Sequence, residues 1–330
     1  MTQHHIAIIG GGAWGTALAL SMERANNRVS LWVRNEKEAV NMALSRINSA
    51  YLPEITIPPT IHITHDIKEV MTASIWLLAI PAQQLLAVVK SIPTEWAVGK
   101  IVLICAKGLC RTTGQLLSPM VEKCWPQASI GILSGPSFAR EVALGQPTAL
   151  SLGIADQAIG QDLVTRLASR YLRLYWNDDV IGIQVAGASK NVIALACGLA
   201  IGLGLGENAR AALMTRGLHE MAKLGVKFGG QRETFMGLCG VGDLVLTATS
   251  LQSRNYTHGI ELGQYYRRQQ PSPTATKLVE GISTAAAISH FMAHTGEELP
   301  ICTAVDHIIN HHADIEKEIE RLLSRPLKAE

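Results

Sequence analysis

Lys190 is the residue whose setting calls for a chemical explanation. It stands in "AGASKNVIALACGLAIGLGLG", Ala186 to Gly206, where no other charge occurs before Glu207. Burying an unpartnered ammonium costs several kcal/mol. A cation in a dry pocket can do two jobs for a carbonyl substrate. It stabilises negative charge developing on oxygen, and it delivers the proton that completes an alcohol. Desolvation lowers a lysine's pKa toward neutrality, and a neighbouring carboxylate opposes that shift. Two plainer readings stand beside this one: the side chain snorkels to solvent, or it forms a structural ion pair.

A second chemical signal opens the chain. Gly10, Gly12 and Gly15 form GxGxxG after the apolar run "HIAIIG" and before a helical pattern. In that context the first glycine permits the tight turn, the second lets backbone approach a pyrophosphate, and the third lets helix and strand pack. The helix N-terminus then offers N–H groups and partial positive charge to the phosphates. The next apolar run, "RVSLWVR", ends in Arg34. An NAD-selective site would place Asp or Glu there, on the ribose 2′-OH. Arginine can instead pair a 2′-phosphate and stack on adenine. The sequence therefore allows both nucleotides and favours NADPH. Arg34 as a solvated strand end is the alternative, and Glu36 nearby blurs the assignment.

These residues need a frame. The chain has 330 residues, 48% of them hydrophobic and 17% charged, with a net charge of +2. That length predicts two domains. Lys and Arg are scattered, so no nucleic-acid surface is expected. The start lacks a signal-peptide pattern, and the run Val192 to Leu205 is too short to span a bilayer. Cytoplasmic residence without membrane insertion is the default. The six cysteines lack a CxxC pair and read as reduced, mostly buried thiols. His290/His294 and His307/His311 are four apart, but without acidic partners they read as solvated faces, and no metal is expected.

Short apolar runs at 5–10, 28–34, 99–109, 128–136 and 148–155, and another ending at Pro81, alternate with helical patterns. They predict a parallel sheet covered on both faces. From about Ile181 helical periodicity takes over, broken by the polar loop "QQPSPTATK". The fold class expected is α/β: a Rossmann-type parallel-sheet domain, 1–185, followed by an all-helical domain, 186–330.

Four further stretches follow the glycine turn in order: "LSGPSFAREVA", "SKNVIALACGLAIGLGLGENARAALMTRGLHEM", "GLCGVGDLVLTATSLQSRNYTHG" and "VEGIST". Together they resemble the bacterial NAD(P)-dependent glycerol-3-phosphate dehydrogenases over nearly the whole chain. The resemblance implies reduction of dihydroxyacetone phosphate to sn-glycerol 3-phosphate, the phospholipid backbone precursor, by a homodimer. It implies Lys190 as general acid/base, with Lys107 and Asp243 as its partners around the substrate. Gly135 and Ser137 match substrate contacts. Ser253, Arg254 and Asn255 match the phosphate site, with Arg254 also reaching the cofactor. Ala13, Trp14, Arg34, Lys107, Ala139, Leu278 and Glu280 join the glycines as cofactor contacts. Ala13 departs from relatives, which often carry Ser and so one more hydroxyl for the pyrophosphate.

The residue types suit these roles. Arginine offers a planar fork of donors, and Ser and Asn add a hydroxyl and an amide. Ser253 is equally a good N-cap, and Glu280 can cap a helix as well as accept from ribose. Two other functions remain open here: a related two-domain reductase of another keto substrate, and a non-catalytic NADP-sensing protein.

Overall fold

The apolar runs of the first half form strands in the computed structural model, which describes residues 4–270, 278–293 and 295–326. The first unit is Met1–Lys107 with Leu117–Ile183, and the second is Gly108–Leu116 with Gln184–Glu330. In the first unit the sheet order is Leu172–Asn177, Thr148–Gly153, Ser129–Ser134, Ile101–Ile104, Ile75–Leu78, His5–Ile9, Arg28–Trp32, His62–Thr64. His5–Ile9 lies between Arg28–Trp32 and Ile75–Leu78, parallel to both. The chain first builds outward on one side of it, then returns to the other. The crevice beyond its carboxyl end is thus a topological switch point, where open α/β sheets take ligands. Ile6, Ala7, Ile8 and Ile9 are fully buried, which explains the unbroken apolar run.

Four features depart from the expected sheet. Ser129–Ser134 and Thr148–Gly153 pair antiparallel. Their connection holds the short helix Ala139–Ala143, which turns the chain instead of carrying it back along the sheet. An edge strand, Leu172–Asn177, precedes the helical half. A short strand, His62–Thr64, closes the other edge. A small antiparallel pair, Ile47–Asn48 with Leu52–Thr56, follows the helix Glu36–Ser45.

The helix Val180–Gly202, which belongs to the second unit from Gln184 on, carries Lys190. It crosses the helix Arg254–Arg267 at close range. A Cβ on Gly198 would overlap the carbonyl oxygen of Tyr256, and one on Gly263 would lie 2.7 Å from that of Leu199. The glycine-rich run is there for this approach. Val180–Gly202 is also long and apolar enough to cross a membrane, longer than the apolar run predicted, but 89% of its most apolar window is buried in the fold. The polar loop expected at 269–277 lies, from 271 on, outside the described residues.

Packing supplies a remote cap. The helix Pro300–Asn310 has no side-chain cap at Leu299. The carboxylate of Glu220 accepts instead from the backbone N–H groups of Ile301 (2.8 Å) and Cys302 (3.1 Å). Burial pushes the Glu220 pKa up, against those two bonds. A carboxyl whose pKa is higher folded than unfolded binds its proton better in the native state. Its stabilising contribution is therefore largest below the unfolded pKa and declines as pH rises toward the folded one. The melting temperature of the parent should fall relative to Glu220→Gln as pH is raised from about 4 upward. A difference independent of pH would show that Glu220 does not titrate in that window.

One of the two histidine pairs also gains acidic partners. His307 Nδ1 lies 2.9 Å from Glu318, and His311 Nε2 lies 3.5 Å from Asp306. Expecting no acidic partner was wrong for this pair, because Glu318 arrives on a separate helix, Ile315–Leu323. His294 lies outside the described residues. All six cysteines are free, and burial pushes the Cys105, Cys197 and Cys302 thiols up, which keeps them unreactive.

Candidate active site

The glycine turn sits at the switch point, and its three glycines answer to different constraints. Gly10 has φ +126°, and a Cβ on Gly15 would overlap the Gly10 carbonyl oxygen. The turn itself demands both. Nothing lies within 4 Å of a Cβ built on Gly12, so packing does not explain that glycine. Space kept clear beside a helix start fits a pyrophosphate. Gly12 caps the helix Ala13–Arg24 without a side-chain hydrogen bond, and the first turn holds no acid. Its N–H groups and partial positive charge are therefore uncancelled. Ala13 opens this helix, and beside it Trp14 carries a buried Nε1 with no partner among the described residues. The residues present thus fit a dinucleotide.

Arg34 follows Arg28–Trp32 and is exposed, its Nη1 reaching Gln84 at 3.4 Å. The Glu36 carboxylate points to His65, 3.7 Å away. Lys107 stands just past Ile101–Ile104, and Gly135 just past the parallel neighbour Ser129–Ser134. Lys107 Nζ donates to the Gly135 carbonyl at 2.9 Å, and Ser137 Oγ donates to the same oxygen at 3.2 Å. Gly135 has φ +144°, which glycine adopts freely. Ala139 opens the helix that follows. The fold so joins three of the predicted residues around one carbonyl.

In the second unit Lys190 is 4% exposed and Asp243 fully buried. Lys190 Nζ forms a short ion pair with Asp243 Oδ1 and donates to Thr247 Oγ1 at 2.8 Å. Thr247 in turn donates to Asp243 at 3.3 Å. The snorkelling alternative falls, since the ammonium is buried and paired. Thr247 was missed. Its signal was the spacing, four residues beyond Asp243 and so on the same helix face. Desolvating both charges is costly, and the hydroxyl supplies the extra bond such pairs need.

The three residues of "SRN" divide. Ser253 caps Arg254–Arg267, accepting from Tyr256 N–H at 3.3 Å. Arg254 is exposed and has no ion pair among the described residues, so its fork is available to an anion. Asn255 is a clamp. Its Nδ2 donates to Asn191 Oδ1 (3.0 Å), and its Oδ1 accepts from Gly281 N–H (2.9 Å). A Cβ on Gly281 would lie 2.7 Å from the Asn191 carbonyl oxygen and 2.8 Å from Asn255 Oδ1. This is the physical reason for glycine in "VEGIST", and Asn191 is a second residue the sequence reading missed. Leu278 is exposed, and Glu280 opens the helix Glu280–Met292.

Comparison with known proteins gives a consistent result. Residues 5–160 match the family model of the NAD-dependent glycerol-3-phosphate dehydrogenase N-terminus, and residues 179–320 that of its C-terminus. The chain is similar to the glycerol-3-phosphate dehydrogenase [NAD(P)+] of Rhodospirillum rubrum, with 44% identity over 99% of this chain and 94% of the relative. Its counterpart in Mesorhizobium japonicum is 41% identical over 98% of this chain and 93% of the relative. The crystal structure of a glycerol-3-phosphate dehydrogenase from Coxiella burnetii superposes with a TM-score of 0.90 at 35% identity, covering 98% of this chain and 99% of that one. The chain belongs to the NAD-dependent glycerol-3-phosphate dehydrogenase family.

Proposed function

We propose that this chain reduces dihydroxyacetone phosphate to sn-glycerol 3-phosphate with NADPH or NADH, reversibly, and so supplies the glycerophospholipid backbone. It works in the cytoplasm as a homodimer. The observation that carries the reading is the buried Lys190, held by Asp243 and Thr247 in an otherwise uncharged helix. A related keto-substrate reductase or a silent sensor lacks the support of the family match.

Residues 1–185 hold the dinucleotide, and 186–330 carry the acid and the phosphate ligands. Gly10, Gly12, Ala13, Trp14 and Gly15 take the cofactor's pyrophosphate side, with Arg34, Ala139, Leu278 and Glu280 as further contacts. When bound, the reduced nicotinamide supplies the hydride. Lys190 holds a proton on Nζ for the ketone oxygen, and its charge stabilises the alkoxide as it forms. Asp243 and Thr247 fix the direction of the ammonium. In the reverse direction the neutral amine accepts the alcohol proton. Lys107, oriented by the Gly135 carbonyl beside Ser137, adds a second cation for the substrate. Arg254, with Ser253 and the remaining N–H of Asn255, binds the phosphate.

The direct test follows absorbance at 340 nm. Dihydroxyacetone phosphate should consume NAD(P)H, whereas pyruvate and ketopantoate should not. Consumption with a keto acid instead would overturn the substrate assignment, and sedimentation of a monomer would overturn the dimer.

Cofactor choice is tested separately. A guanidinium at the 2′ position makes charge-assisted bonds worth about 1.5–3 kcal/mol. At an exposed Arg34 the low end applies, so NADPH should be preferred about tenfold. Arg34→Asp should reverse the order, since a carboxylate repels the 2′-phosphate and accepts from the 2′-OH. An unchanged ratio of kcat/KM values for the two nucleotides would remove Arg34 from this role.

A further inference from the structure

We infer that Asn48 is a positioning residue that orients the glycine turn for the dinucleotide. The inference rests on the reading of that turn as the pyrophosphate site.

Three consecutive glycines, Gly10 to Gly12, end the first strand. Such a run has wide backbone freedom, and ordering it costs entropy. Asn48 is 2% exposed. Its Nδ2 donates to the Gly11 carbonyl at 2.9 Å and to Thr16 Oγ1 at 2.8 Å. A trans peptide points its C=O and N–H in opposite directions. With the Gly11 oxygen drawn to Asn48, the Gly12 N–H faces away from it. That N–H then joins the unsatisfied donors of the first helical turn, the arrangement that receives an anion. The same bond turns away a carbonyl whose partial negative charge would repel a phosphate. Through Thr16 the amide also ties strand end and helix start into one unit.

The chain delivers Asn48 by a built device. After Glu36–Ser45, Arg46 adopts a left-handed conformation, φ +56°. Its guanidinium donates to the carbonyls of Ile57 (3.1 Å), Pro58 and Ile61 (2.8 Å). Those bonds close the excursion, while Leu52, Ile55, Ile57 and Ile61 sink into the core. The hairpin is thus packed into the domain, and its one buried amide meets the glycine turn.

The test uses the full chain. Dissociation constants for NADPH and NADH are measured by nucleotide fluorescence, with steady-state kinetics alongside. Asn48→Ala should raise Kd and KM for both nucleotides about tenfold, the factor of one misdirected bond to a charged group. The NADPH to NADH ratio, kcat at saturating cofactor and KM for dihydroxyacetone phosphate should each stay within about twofold, a split that general loosening does not produce. Thr16→Val, which keeps the amide and removes its second partner, should raise Kd about threefold. Folded Asn48→Ala that binds both nucleotides like the parent overturns the inference, and so does a fall in kcat with Kd unchanged. Should Asn48→Ala not fold, an unchanged Kd in Thr16→Val overturns it. Gly12→Asp separates the underlying reading. A Cβ at that position meets nothing in the fold, so normal nucleotide binding by that variant would show that the turn is not the cofactor site.

Discussion

Lys190→Ala should lower kcat by about 10²–10⁴, the usual cost of a lost proton donor, while leaving nucleotide affinity near the parent's. The effect is large because the ammonium is the buried donor that Asp243 and Thr247 both hold. The substitution also strands the fully buried Asp243 carboxylate. Breaking such a pair typically costs about 3–5 kcal/mol, so kcat must be normalised to folded enzyme. Lys190→Arg separates charge from proton transfer. A guanidinium keeps the cation but stays protonated at neutral pH, so stability should largely return while turnover stays at least about tenfold down. Turnover within a few-fold of the parent in folded Lys190→Ala would remove Lys190 from the mechanism.

Arg254→Ala should raise KM for dihydroxyacetone phosphate about 10- to 100-fold, the loss of one charge-assisted fork at about 1.5–3 kcal/mol. Because Arg254 is exposed and outside any ion pair among the described residues, stability should hardly change. The effect then reads recognition alone. Dihydroxyacetone, which lacks the phosphate, should be a very poor substrate for the parent, and the variant should lose most of that discrimination. A variant that still discriminates as sharply would place phosphate recognition elsewhere, and the Ser253 hydroxyl would keep only its capping role.

Some of the protein was legible because the information is local. The glycine turn, the strand before it and the helix after it are contiguous, and their residue types follow from backbone sterics. Lys190 stood out because one cation interrupts an apolar helix, and the family resemblance set Asp243 beside it, where the ion pair is found. The two-unit plan followed from the change of periodicity near residue 181, although residues 108–116 belong with the second unit.

Tertiary structure decided what depends on partners distant in sequence. Whether Lys190 snorkels or is paired turns on a carboxylate and a hydroxyl 53 and 57 positions away. The antiparallel return at Thr148–Gly153 was hidden because a central strand is apolar in either direction. Leu172–Asn177 went unseen because its outward positions include Arg173 and Tyr175, as an edge strand permits. Asn255 reads as a phosphate donor by type, yet packing of three helices commits its oxygen and one of its two amide N–H groups to Gly281 and Asn191. Periodicity marks which face of an element is buried. It does not say which buried polar atoms meet, and in this protein that meeting sets Lys190 against Asp243 and Asn48 against the glycine turn.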